Sequence, residues 1–260
     1  MDSLQPVRRL YLKGGGLNTL AFSPDSRRLA AAGRSLQLWS PVDWSEIGVL
    51  GAVGNVFGTA RFGPDGVLLA SVNAQEQIEI WNTEKGTRLR TICCMALYGD
   101  VAFSPDGSVL AAGGHWPSLW DLRTGSRIRR LVETREPTFG PVCFRPDGRV
   151  LATGSQDGKA RLWDVDTGRE LLSAKPRRAY VESVGFHPDG QLLAYGLRDG
   201  GVWLWDTESG SEREVTAAAT SNVSFSPDGR WLGFGLAGGR VQLWDLAAAH
   251  NGPVLSPPAD

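Results

Sequence analysis

The chain has 260 residues, 42% of them hydrophobic and 21% charged, with a formal net charge of −1. Such a composition is ordinary for a folded globular protein. A charge so near zero supplies no global positive field to draw the chain to nucleic acid or an anionic membrane surface, so neither is expected as a partner.

Residues 1–13 lack the apolar core of a secretory signal. No apolar run approaches the roughly 18 residues that span a bilayer. Residues 7–12, Val-Arg-Arg-Leu-Tyr-Leu, read as a strand with no unit of its own in front of it.

From Phe22 onward the chain repeats. Phe22-Ser-Pro-Asp-Ser26 returns as Phe62-Gly-Pro-Asp-Gly66, Phe103-Ser-Pro-Asp-Gly107, Phe144-Arg-Pro-Asp-Gly148, Phe186-His-Pro-Asp-Gly190 and Phe225-Ser-Pro-Asp-Gly229. A tryptophan keeps step with each Phe: Trp39, Trp81, Trp120, Trp163, Trp205 and Trp244. Two markers in phase six times define a repeat of about 40 residues, the period of propeller-type arrays.

Each unit spells out antiparallel sheet. In the Pro-Asp-Gly run, Pro presets φ, Asp bonds its own backbone and Gly takes the left-handed residue of a tight turn. Short apolar strands flank that turn, an alternating strand ends on the tryptophan, and a second turn such as Asp166-Thr-Gly168 leads to a fourth strand. No sustained 3.6-residue period appears. The predicted units run over about 14–50, 51–92, 93–131, 132–173, 174–215 and 216–246, with residues 247–260 as a tail. The sixth unit has three clear strands. Residues 7–12 are therefore predicted to supply its outer strand and to protect its edge, in preference to 253–255, whose proline disfavours a strand.

These residues resemble the WD-repeat (WD40-type) β-propeller family, through the Phe-Ser-Pro-Asp-Gly turns and Trp-Asp at 120–121, 163–164, 205–206 and 244–245. The likeness covers residues 7 to 246. It implies an all-β fold, a six-bladed β-propeller of four-stranded antiparallel blades, which the N-terminal strand 7–12 is expected to close. A monomeric ring is expected, though the sequence does not decide whether the ring self-associates. The family's Gly-His dipeptide is missing from every unit, and its turn Asp survives only at Asp157 and Asp199, so its network of Trp, Ser/Thr, His and Asp is incomplete in all blades.

No constellation reads as an active site, a metal site or a cofactor site. The turn aspartates Asp25, Asp65, Asp106, Asp147, Asp189 and Asp228 each stand a blade apart and serve their own turns. Cys93, Cys94 and Cys143 form an odd set with an adjacent pair, which fits a reducing, cytoplasmic setting and packed thiols better than disulfides. The repeated tryptophans read as packing between blades; Trp116 and Trp203 fall off the pattern.

The resemblance implies an interaction platform for a protein or peptide rather than an enzyme, although fold alone never fixes function. Loops held by rigid sheets are where such a site is expected. They carry one local excess of basic and aromatic residues: Trp116, Arg135, Lys175, Arg177, Arg178, Tyr180 and Arg198. Arg and aromatic side chains are the types most enriched in binding hot spots, and the basic character predicts an acidic or phosphorylated partner. Arg127, Arg129 and Arg130 fall on an outer strand, where basic residues guard an edge against pairing, and are left out of the site. A regulatory domain of a larger signalling protein is the second reading, a propeller hydrolase or lyase the third. Met1 favours a complete product, and the Ala, Gly and Arg content points to a bacterial origin.

Overall fold

The computed structural model describes residues 10–51, 56–93, 99–114, 116–131, 140–217, 222–236 and 240–248, and the backbone of 250–255. Two compact units account for the chain: residues 6–137, and residues 1–5 with 138–260.

The first unit holds three four-stranded antiparallel sheets. Blade 1 is β1 (Leu17–Phe22), β2 (Leu29–Gly33), β3 (Leu36–Trp39) and β4 (Glu46–Gly51). Blade 2 is β5 (Phe57–Phe62), β6 (Leu68–Asn73), β7 (Gln77–Asn82) and β8 (Thr87–Cys93). Blade 3 is β9 (Val101–Phe103), β10 (Val109–Ala112), β11 (Ser118–Asp121) and β12 (Arg127–Arg130). Within this unit β5 packs on β1 and β2, and β9 on β5 and β6.

The second unit holds three more. Blade 4 is β13 (Val142–Phe144), β14 (Val150–Gly154), β15 (Ala160–Asp164) and β16 (Glu170–Ser173). Blade 5 is β17 (Val181–Phe186), β18 (Leu192–Leu197), β19 (Val202–Asp206) and β20 (Glu212–Thr216). Blade 6 is β21 (Val223–Phe225), β22 (Trp231–Leu236), β23 (Arg240–Asp245) and β24 (His250–Leu255). Here β17 packs on β13 and β14, and β21 on β17 and β18. The fold is thus all-β, six blades of the propeller type.

The sequence explains the burial gradient across each blade. Second strands such as Leu29-Ala-Ala-Ala-Gly33 are buried at every residue, because a sheet covered on both faces needs small and apolar side chains throughout. In blades 2 to 5 the outer strand is the most exposed of its blade; all four residues of β16 are exposed. The Ser-Pro-Asp-Gly turn closes on itself. In blade 3, Ser104 Oγ donates to Asp106 at 2.5 Å, the Ser108 N–H donates to the same carboxylate at 3.0 Å, and Gly107 has φ 73°. The carboxyls of Asp25, Asp106 and Asp228 are held below their ordinary range, foremost by these serine hydroxyls.

One expectation is corrected. The outer strand of blade 6 is β24, not residues 7–12: Val254 pairs with Gln242 and Asn251 with Trp244. Residues 7–9 lie outside the described residues, and Leu10 to Leu12 belong to no strand. Pro253 does not prevent β24, because the register shifts between Gln242 and Trp244, and a bulge on an edge strand is where a missing N–H is tolerated. A smaller correction concerns Cys93, which is exposed at the end of β8 rather than packed; Cys143 packs half-buried against the core of the second unit, and Cys94 lies outside the described residues.

Candidate partner-binding face

The link from β16 to β17 (residues 174–180) carries most of the expected site. Its backbone is strapped down on both sides. The Arg177 N–H donates to Gly158 O at 2.9 Å and the Val181 N–H to Ser155 O at 3.0 Å, across the β14–β15 turn of blade 4. The Arg198 N–H donates to Tyr180 O at 2.9 Å, from the β18–β19 turn of blade 5. Gly158 is required there, since a Cβ would come within 2.0 Å of the Arg177 carbonyl oxygen.

A buried carboxylate completes the anchoring. Glu212, at the start of β20, has a side chain only 5% exposed. It accepts the Lys175 N–H at 2.9 Å, the Tyr195 hydroxyl at 2.6 Å and the Arg177 guanidinium at 2.5 Å. Arg177 also donates to the Tyr195 oxygen at 3.3 and 3.4 Å and lies 3.5 Å above the Trp203 ring, which stacks on Tyr195. Burial pushes the Glu212 carboxyl up, but the Tyr195 hydroxyl, the Lys175 N–H and Arg177 outweigh it and hold the group below its ordinary range. Burial and the Glu212 carboxylate push the Tyr195 phenol well above its ordinary range.

The structure therefore sorts the seven expected residues. Arg177 is committed to the inside of the link and holds it in place. Lys175 and Arg178 are exposed on the same link, and neither pairs with an acid among the described residues. Tyr180 is 39% exposed. The Arg198 guanidinium lies 5.4 Å from its ring centroid and 2.9 Å from Glu182. Trp116 belongs to the other unit, half-buried under the Arg130 guanidinium at 4.5 Å. Arg135 lies outside the described residues.

Tyr195, Trp203 and Glu212 are not among the residues expected from the sequence. Trp203 is visible there as an off-pattern aromatic. Glu212 gives no signal, being one polar residue of an outer strand. Among the described residues no group of three or more His, Cys, Asp or Glu could hold a metal ion, and no helix is long and apolar enough to cross a membrane.

The match to known families agrees with this architecture. The model of the WD domain, G-beta repeat, covers residues 4–40, 142–164, 171–206 and 209–245, just over half of the chain. The chain belongs to the WD40 family. WD40 propellers are typically scaffolds for protein interactions. Each complete match in the second unit runs from an outer strand through the next blade to its Trp-Asp, as 171–206 does from β16 to β19. No curated protein matches the chain.

Proposed function

We propose that this WD40 protein is a non-catalytic interaction scaffold and that Lys175, Arg178, Tyr180 and Arg198 form its binding face for an acidic or phosphorylated peptide. The observation that carries the reading is the pair Lys175 and Arg178, two exposed cations without acidic partners among the described residues, on a link that Arg177 and Glu212 hold rigid. Preorganisation lowers the ordering cost of binding. Arg178 offers the planar fork that meets a carboxylate or phosphate with two parallel bonds. Tyr180 adds apolar area beside the charge, and Arg198 over its ring keeps that area in place. The odd cysteine set supports a cytoplasmic setting, and the composition a bacterial one.

An array of phosphoserine, Glu-rich and neutral peptides, probed with the wild type and with a Lys175→Ala/Arg178→Ala/Tyr180→Ala variant, tests the proposal. Phosphorylated or acidic peptides should retain the wild type and lose the variant. Equal retention of both proteins would remove this face from the function.

A further inference from the structure

The outer strands of blades 1 to 5 share a charged position that blade 3 leaves unpaired. Nine residues after the same position on the third strand of each stands a charged side chain: Glu46, Arg88, Arg127, Glu170 and Glu212 on β4, β8, β12, β16 and β20; the equivalent residue in blade 6 is the uncharged Asn251. Four of these are neutralised within their own unit. Glu46 meets Lys13 at 2.7 Å, Arg88 meets Glu79 at 2.5 Å, Glu170 meets Arg161 at 3.4 Å and Glu212 meets Arg177 at 2.5 Å. In blade 3 the third-strand position is Ser118, whose hydroxyl donates to Trp116 O at 2.9 Å. Arg127 is left without an acidic partner among the described residues, and so are Arg129 and Arg130 beside it.

These guanidiniums are held in place. Arg127 pairs across from Trp120 and Arg130 from Ser118, so both share one face of the sheet. They lie 5.9 Å and 4.5 Å from the ring centroids of Trp120 and Trp116. Arg129 points to the other face, and its Nε is buried with no hydrogen-bond partner. Between them Ile128 is 45% exposed. β12 is the last strand of its sheet, and among the described residues no strand pairs with its outer side.

We propose that the β12 edge is a second interaction surface, which takes an acidic extended segment of a partner protein as a fifth strand of blade 3. The free edge supplies main-chain hydrogen bonds. The arginines supply selectivity, because opposite charges stabilise cross-strand pairs and like charges destabilise them. The same rule disfavours a second copy of β12 as the occupant. A nucleic acid could meet the arginines but could not complete the backbone ladder.

The test uses fluorescence anisotropy in a chain carrying Arg178→Glu, so that the face on the link cannot supply the signal. The probe is a labelled (Thr-Glu)4 peptide, compared with (Thr-Lys)4, with (Thr-Glu)4 N-methylated at alternate residues, and with a short DNA duplex. Saturable binding of (Thr-Glu)4 is expected, at least tenfold weaker after Arg127→Glu/Arg130→Glu and after N-methylation, with no binding of (Thr-Lys)4. Absence of binding, indifference to the double substitution, or equal binding of the N-methylated peptide or the duplex would overturn the proposal. If the double variant fails to melt as a folded protein, Arg130→Ser replaces it, with a weaker but clear loss expected and no loss again decisive against the edge.

Discussion

The indole Nε1 of Trp163 donates to the hydroxyl of Thr153 at 2.9 Å, two residues along β14 from the residue that pairs with the tryptophan. Blade 2 repeats the relationship with Trp81 and Ser71 at 3.0 Å. In blades 3 and 6 the hydroxyl position is held by Ala112 and Phe234, and the buried Nε1 atoms of Trp120 and Trp244 have no hydrogen-bond partner. Ala112→Ser should therefore raise stability, by about 1 kcal/mol, the net worth of one buried hydrogen bond. Thr153→Val should cost about 1–3 kcal/mol, because it strands a donor that is now satisfied. Denaturant melts of both variants check the pair, and an Ala112→Ser chain no more stable than wild type would break the relationship.

The first turn of the repeat stores strain. Ser26 has φ 57°, where the five sister turns place Gly66, Gly107, Gly148, Gly190 and Gly229 at 70–77°. A side chain in the left-handed region costs about 1–2 kcal/mol, of which the extra entropy of an unfolded glycine returns part. Ser26→Gly should then stabilise by about 0.5–1 kcal/mol. A lower melting temperature would show that Ser26 makes up its strain through contacts a glycine lacks.

Acid should loosen the link that carries Lys175 and Arg178. Glu212 has its folded pKa below the ordinary 4.5, so its contribution is complete above that value and is lost as the pH falls through the folded pKa. The turn aspartates Asp25, Asp106 and Asp228 act in the same direction below their ordinary 3.8. Tryptic cleavage after Arg178 at pH 7 should be faster in Glu212→Gln than in the wild type. In the wild type, amide hydrogen exchange of residues 174–181, corrected for its intrinsic pH dependence, should accelerate only below about pH 4.5. Equal cleavage of both proteins at pH 7 would remove Glu212 as the anchor.

Truncation after Ala248 removes β24 and bares the whole of β23. An unpaired edge of this length invites association with other chains, so the truncated protein should aggregate or melt earlier than the full chain. Static light scattering during a thermal ramp reads both effects, and an unchanged, monomeric profile would make β24 dispensable.

The repeat is legible in the sequence because Phe, Pro-Asp-Gly and Trp serve local roles: a turn needs its φ values and a third strand needs its packing residue wherever the blade stands. Two kinds of information are not local. Arg177 and Arg178 are neighbours of the same type, and only the straps from Gly158 and Ser155 decide that the first points inward and the second outward. Glu212 lies 37 residues from Lys175, whose N–H it accepts, so nothing near either residue announces the contact. Sequence reasoning misplaces the outer strand of blade 6 because Pro253 is a strand-breaker in general but not at a bulge on an edge.

The most direct measurement is an anisotropy titration of a labelled phosphoserine peptide against the wild type and Arg178→Glu at low and at high salt. The wild type should bind, the variant should bind more weakly by about 1.5–3 kcal/mol for the lost charge-assisted hydrogen bonds, and the wild-type affinity should fall as salt rises. Both proteins should melt at the same temperature, because an exposed charge contributes little to folding. Equal binding by the two proteins at low salt would contradict the reading and leave the link a solvated rim.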